Sequence, residues 1–225
     1  LYGIEPQFDF AQGAQALKAL AGAKVVAFAA FASDELRKIA HVILPIGLLP
    51  EIEATLTNVD GIHQSTQAGG KLPGEARAGW RVLRALGGSL GIAGFELTDL
   101  HGLRAGLAPQ APAQGAGLSE AGKHDAGLER ITSTPIYRGD AVLRRAVALN
   151  AHPLTHGPRV VLHPEEALAR GLSDGGVAKV GDGVGSAALP VAVSARVPKG
   201  AVWIESGYEA TAPMSPTARL AVVGA

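Results

Sequence analysis

"HVILPIGLLPEIEATLTNVDGIHQ", His41 to Gln64, is the stretch whose reading decides the fold. It opens as an apolar run and closes as a polar ribbon around Asp60-Gly61. The opening predicts a buried strand over His41–Ile46. Pro45, with no N–H to donate, should end its pairing. The closing half predicts a hairpin, because Asp-Gly suits the tight turns that join antiparallel strands. Thr55, Thr57, Asn58, Asp60, Gln64 and Thr66 then place donors and acceptors beside the C-terminal end of a parallel strand. Ligands bind at that edge in open α/β sheets.

Upstream, "KVVAFAAF" (Lys24–Phe31) is a continuous apolar run, as expected for a strand covered on both faces. Ser33 is a candidate N-cap, with Asp34 and Glu35 in the first turn where a helix favours negative charge. The resulting short helix should end near Ala40. Strand, helix, strand in this order implies a parallel crossover. Phe10, Ala14, Leu17 and Ala21 fall at helical spacing before it. Downstream, "GEARAGWRVLRALGGSLG" (Gly74–Gly91) predicts the clearest helix, with Ala76, Trp80, Leu83, Leu86 and Leu90 on one side and Arg77, Arg81 and Arg84 on another. Its glycines mark the stop.

Residues 105–130 are rich in Ala, Gly, Pro and Gln without a period, which is linker composition. Beyond them the rhythm changes. "GDAVLRRAVALN" (Gly139–Asn150) predicts a helix, "RVVLH" a short strand, and "HPEEALARGL" a helix capped by His163 with Pro164 in its first turn. "VAKVGD", "SAALPVAVSARV", "AVWIES" and "TARLAVVG" are short strands parted by glycine turns. That spacing predicts a small closed barrel carrying one helix. The expected division is an α/β domain over 1–104, a linker over 105–130 and a barrel over 131–225.

Of 225 residues, 47% are apolar and 18% charged, enough to bury a sizeable core. Twenty basic residues balance twenty acidic ones, which argues against a nucleic-acid partner. Cysteine is absent, so this stretch supplies no disulfide, no thiolate nucleophile and no cysteine-ligated iron–sulfur cluster. No apolar run approaches the ~20 residues of a membrane helix, so direct membrane insertion is not expected. The chain opens "LYGIEPQF" and its one methionine is Met214, which reads as part of a longer polypeptide.

Other motifs favour plain structural roles. "GGSLG" (Gly87–Gly91) has the G-x-S-x-G form, but a nucleophile elbow needs a strand before Ser89, and a helix stands there. "GDGVGS" (Gly181–Ser186) is followed by a strand, whereas a phosphate loop opens a helix. It reads as a hairpin turn. His152 and His156 are four apart, but Pro153 and Gly157 break any shared helical face. His41 and His63 lie on predicted strands near the ribbon, with hydrogen bonding the ordinary role and proton transfer the less common one. Glu51 and Glu53 share a side of an extended segment. Paired carboxylates can do acid–base work, but with no partner residue in view the pair reads as solvated or capping.

Taken together, "IAHVILPIGLLPEIEATLTNVDGIHQSTQAGGKLPGEARAGWRVLRALGGSLG" resembles the molybdopterin-oxidoreductase signature: an A-D-V-x-L-P strand end, then E-x-x-G-T-x-x-N-x-E-G-R-x-Q, then P-G-E-A-R-x-x-W and a helix. "LYGIEPQFDF" and "PIYRGDAVLRRAVALN" look like the large iron–sulfur subunit of proton-translocating NADH:quinone oxidoreductase (respiratory complex I), a member of that superfamily. "HPEEALARGLSDGGVAKV" is similar to the superfamily's C-terminal dinucleotide-binding barrel. The resemblance implies a partial parallel-sheet α/β domain followed by a double-psi-like β-barrel. It implies an oxidoreductase assembly, peripheral on the cytoplasmic face of a bacterial inner membrane, whose iron–sulfur clusters are held N-terminal to these residues. The partners it implies are other subunits of the peripheral arm.

The resemblance also implies where a pterin dinucleotide would be touched: Thr57, Asn58, Asp60 and Gln64. The departures bear on that site. The signature's Ala-Asp is Ala40-His41 here, its Gly-Thr is Ala54-Thr55, and its Glu-Gly-Arg is Asp60-Gly61-Ile62. An arginine offers bidentate donors to a phosphate or a pterin carbonyl, and isoleucine offers none. "TSTPIYRGDA" stands where pterin-binding barrels open with arginine and histidine. The expectation is therefore a relic pocket without catalytic residue, cofactor or metal, in a structural part of the respiratory subunit. The alternative is the C-terminal part of a working molybdopterin enzyme that binds the dinucleotide.

Overall fold

The computed structural model of the chain describes residues 1–106 and 127–225. Along the first part run helices α1 (Pro6–Asp9) and α2 (Gly13–Ala21), strand β1 (Val26–Ala29), helix α3 (Asp34–Ile39) and strand β2 (Val42–Pro45). A 3₁₀ turn, Leu49–Glu51, leads into strands β3 (Ala54–Thr57) and β4 (His63–Thr66), then helices α4 (Gly79–Ser89) and α5 (Leu100–Gly106). After residue 126 come β5 (Leu128–Ile131), a 3₁₀ turn at Ile136–Arg138, helices α6 (Ala141–Arg145) and α7 (Val147–Asn150), and β6 (Val160–Leu162). Helix α8 (Pro164–Ala169) and strands β7 (Val177–Gly181), β8 (Ser186–Val193), β9 (Ala201–Trp203) and β10 (Arg219–Gly224) complete the order.

These elements form two compact units that interleave along the sequence. Among the described residues, one comprises residues 1–3, 26–32 and 41–106, and the other residues 4–25, 33–40 and 127–225. The first unit holds the parallel pair β1–β2, in register from Val26↔Val42 to Ala29↔Pro45. Pairing along β2 does not stop at Pro45. Ile46 bridges Arg77, and the Gly47 N–H donates to the Arg77 carbonyl at 2.9 Å. That bridge commits the backbone of Arg77 to an extended partner, so α4 starts at Gly79 and not at Gly74 as its apolar spacing predicts. β2 is also more open than its sequence suggests, with Val42 46% exposed. The antiparallel hairpin β3–β4 forms around Asp60-Gly61, with Gly61 at φ 80°, a conformation that costs glycine little.

The second unit is built on a closed six-stranded barrel in the order β10-β5-β9-β6-β8-β7. Its core includes Val160, Leu162, Val180, Val202, Ile204 and Leu220, all with no exposure. Each such side chain stabilises the fold by about 1.5–3 kcal/mol relative to an exposed one. Alternation sets which faces turn inward: in β7, Ala178 and Val180 are buried while Val177 and Lys179 are exposed. β5 begins at Leu128, inside the stretch expected as linker; 107–126 of that stretch lie outside the described residues. The helix predicted over Gly139–Asn150 is broken in two at Ala146, whose ψ is 89°. Ser33 caps α3 by accepting from the Leu36 N–H, and His163 caps α8 by accepting from the Glu165 N–H, both as the sequence implies.

Candidate functional site

The pairings of the barrel fix which loops share an end. β5 and β9 are parallel, so residues 132 and 204 leave the barrel together. β6 runs antiparallel to β9 and parallel to β8, while β7 and β10 close the ring with opposite sense. The segments 132–159, 182–185 and 204–218 therefore gather at one end. α8 and the short 194–200 connection occupy the other. The longest connections of the unit converge at the first end, and so do its buried arginines, Arg130 and Arg138.

Arg130 ends the inward-facing row of β5 and is 5% exposed. Its Nη1 donates to the carbonyls of Met214 at 3.0 Å and Ser215 at 3.1 Å, and its Nη2 reaches the Glu205 carbonyl and Ser206 Oγ, both at 3.5 Å. Its buried Nε has no hydrogen-bond partner among the described residues. No carboxylate pairs with it within salt-bridge distance there, and burial pulls the guanidinium's pKa down while the field of Asp182 opposes that. A buried cation held by carbonyls, with a donor left over, is an excess of donor capacity at this end of the barrel.

Asp182, in the β7–β8 turn, supplies the opposing negative charge. Its Oδ1 accepts from the N–H groups of Val184 (2.9 Å) and Gly185 (2.8 Å), and its Oδ2 from that of Ser215 (2.8 Å). Burial pushes this carboxyl up, but the N–H groups of Gly185, Ser215 and Val184 outweigh burial and leave it below its usual range. A side chain at Gly185 would strike the carbonyl of Pro213. The glycine pattern read as a hairpin turn is therefore that, and it also moors the β9–β10 loop.

Arg138 closes the end from the 132–159 side. Its Nε donates to the Gly207 carbonyl at 2.6 Å, its Nη1 to Asn150 Oδ1 at 2.9 Å, and its Nη2 lies 3.3 Å from Glu209. The guanidinium stacks 4.5 Å over the Tyr208 ring. Tyr208 in turn donates to Glu205 Oε2 at 3.4 Å. Burial raises the Glu205 carboxyl above its usual range, against Tyr208, His156 and Arg159, which pull it down. Thr132 and Ser206 share a 2.5 Å hydroxyl contact. His156 and Arg159 remain exposed at the same end, available to a polar ligand.

The ribbon residues lie in the other unit, all exposed. Thr57 Oγ1 pairs with His63 Nδ1 at 2.7 Å, and Thr55 with Ser65 at 3.0 Å. Asn58 Oδ1 accepts from the N–H groups of Asp60 and Ile62, both at 2.9 Å, so its acceptor is spent on the turn. Gln64 stands opposite Leu56. Glu51 accepts from the Leu48 N–H at 2.8 Å, the capping role expected, whereas Glu53 pairs with Arg104 at 2.9 Å, a partner not read from the sequence. Ser89 is the last residue of α4 with no strand leading in. Among the described residues no group of His, Asp or Glu could hold a metal, and no helix is long and apolar enough to cross a membrane.

Sequence reasoning passed over Arg130, Arg138, Asn150 and Asp182. Arg130 fell in the expected linker, and Arg138 and Asn150 fell in a stretch read for its likeness alone. "TSTPIYRGDA" does bring an arginine to the barrel opening, turned onto the protein's own backbone. The only local hint was Asp182 before a glycine-rich turn, the position from which an aspartate caps its own backbone.

A closed barrel with its long connections at one end, in a chain that also carries a parallel strand pair, is the architecture of an α/β-plus-barrel protein. Residues 2–89 match the molybdopterin oxidoreductase family and residues 131–222 match the molydopterin dinucleotide binding domain. The chain thus carries one region similar to each of these two families. Among solved structures it is similar to acetylene hydratase from Pelobacter acetylenicus, with a TM-score of 0.60 and 16% identity, a likeness of fold. The similarity covers 92% of this chain and 37% of that one, so the chain spans well under half the length of that neighbour. No match was found among curated proteins. Neither family match nor this neighbour bears the name of NADH:quinone oxidoreductase, and the dinucleotide-binding match points toward a pterin where the sequence reading expects none.

Proposed function

We propose that this chain contributes the pterin dinucleotide-binding barrel of a molybdopterin-dependent oxidoreductase. The observation that carries the reading is the gathering of surplus donors at the loop-bearing end of a barrel that matches the dinucleotide-binding domain. Arg130 Nε has no partner among the described residues, and His156 and Arg159 are exposed nearby in the topology. The exposed His156 and Arg159 suit an anionic ligand with acceptor oxygens. The cofactor, when bound, supplies metal-centred redox chemistry. His156 and Arg159 would hold its charged tail, and the hydroxyls of Thr132, Ser206 and Tyr208 would orient its polar edges. Arg130 and Asp182 keep the surrounding loops in place. We also read the barrel as double-psi-like, on its mixture of parallel and antiparallel pairs.

The test is direct. The full-length protein is purified, acid-released pterin is measured by fluorescence after oxidation, and molybdenum and tungsten by elemental analysis. About one pterin dinucleotide or more per chain is expected. A protein purified from cells competent in cofactor synthesis, yet free of pterin and of both metals, overturns the proposal.

A second reading has its own observation. Thr57 and Asn58 are engaged within the hairpin, and Ile62 stands 57% exposed where the family signature carries arginine. These favour a non-catalytic scaffold in the large iron–sulfur subunit of a bacterial NADH:quinone oxidoreductase, packed against subunits of its peripheral arm. Co-purification with such subunits, without pterin, would select this reading over the first.

A further inference from the structure

We propose that Arg138 and Asn150 are positioning residues that lock the loops at the open barrel end into one preformed wall of the dinucleotide site; this rests on the pterin-binding function proposed above. Arg138 is 8% exposed and every edge of its guanidinium is engaged. Nε goes to the Gly207 carbonyl, Nη1 to Asn150, Nη2 to Glu209, and the flat face to Tyr208. A guanidinium so committed does not grip a phosphate. Its fork joins the β9–β10 loop to the helical connection between β5 and β6.

Asn150 carries the link onward. The chain breaks at Ala146 (φ −77°, ψ 89°), where α6 ends and α7 begins. Asn150 Nδ2 donates across the break to the carbonyls of Leu143 at 2.8 Å and Ala146 at 2.9 Å, which also accept the N–H groups of Ala146 and Asn150, and lies 3.3 Å from that of Arg144. Its Oδ1 accepts from Arg138. Both ends of the amide are used, and in only one orientation, because the donor must face the carbonyls and the acceptor the guanidinium. The α6–α7 break, Asn150, Arg138 and Gly207 thus form one polar chain across three segments. Loops held this way before a ligand arrives lower the ordering cost of binding. A lysine at 138 offers no planar fork, so its compact ammonium does not reach Gly207, Asn150 and Glu209 together.

The experiment compares wild type, Arg138→Lys, Asn150→Ala and the double variant as full-length protein. Circular dichroism checks the fold, and release of pterin after dilution is followed by fluorescence. Each single variant is expected to stay folded and to release pterin at least tenfold faster, with the double no faster than the faster single. That non-additivity is what one chain of contacts produces and independent packing losses do not. Should Arg138→Lys fail to fold, Asn150→Ala against wild type makes the same comparison. Variants that release pterin within twofold of wild type, or a double variant equal to the product of the singles, overturn this proposal while leaving the pterin-binding function standing. A wild type that carries no pterin overturns both.

Discussion

Glu5 and Arg145 lie 140 positions apart in sequence, yet Arg145 Nη2 sits 2.5 Å from Glu5 Oε1. Arg144 approaches the other oxygen, with its Nη2 at 2.8 Å and its Nε at 3.2 Å, and stacks 4.7 Å over Phe8. One carboxylate, 5% exposed, is thereby enclosed by two guanidinium groups. Glu5→Gln keeps the shape and removes the charge, leaving Arg144, itself 5% exposed, without its closest counter-ion. Breaking a buried pair on one side costs about 3–5 kcal/mol. A loss of roughly 3 kcal/mol in urea unfolding is expected, and a loss under about 0.5 kcal/mol, the size of an ordinary surface change, would contradict it.

The same carboxylate predicts an acid response. Burial pushes the Glu5 carboxyl up, and hydrogen bonds and charge from Arg145 and Arg144 more than reverse this, so its folded pKa lies below 4.5. A depressed carboxyl contributes stability that is whole above its unfolded pKa and is lost as pH falls through the folded one. Wild type should lose stability below pH 4.5 more steeply than Glu5→Gln does. Parallel pH profiles of the two proteins would refute this.

Asp182→Ala removes an acceptor of three backbone N–H groups at the β7–β8 turn. Unpaired N–H groups that stay out of water cost about 1–3 kcal/mol. A loss of ~2 kcal/mol is expected, with faster amide exchange at Val184, Gly185 and Ser215 than elsewhere in the barrel. Unchanged exchange at those three amides would show that the turn holds itself.

Arg130→Ala withdraws donors from the Met214 and Ser215 carbonyls and opens a void in the barrel end. The expected cost is about 2–4 kcal/mol, read by denaturant unfolding. An alanine variant as stable as wild type would mean that the buried cation costs as much as its hydrogen bonds return.

Ile62→Arg places a guanidinium where the family signature has one. If the ribbon still faces a cofactor, pterin retention in the full-length protein should rise several-fold. Because Ile62 is exposed, stability should move by less than about 0.5 kcal/mol. Unchanged retention in a protein that does hold pterin would assign the ribbon a structural role.

Much of the fold could be read from the residues because it rests on local signals. Asp60-Gly61 sets the hairpin, Ser33 and His163 cap the helices they precede, and alternation in "VAKVG" turns Val180 into the barrel. What escaped depends on contacts far apart in the chain. The late start of α4 follows from Arg77 pairing with Ile46, a bridge no window around Gly74 can reveal. Arg130 reads as a linker residue until Met214 and Ser215 come to it. The polar ribbon drew notice because its side chains cluster in sequence. The barrel-end groups are scattered over Arg130, Arg138, Asn150 and Asp182, and only strand pairing assembles them.

The interleaving of the two units has a consequence for synthesis. Glu5 emerges from the ribosome long before Arg144 and Arg145 exist, and β5 must wait for β10 before the ring can close. The unit containing residues 4–25 therefore cannot complete itself during translation by folding in order from its first residues. Its early helices wait without their anchors while the intervening residues are made, so a chaperone that shelters nascent chains should matter more for this protein than for one whose domains follow each other in sequence.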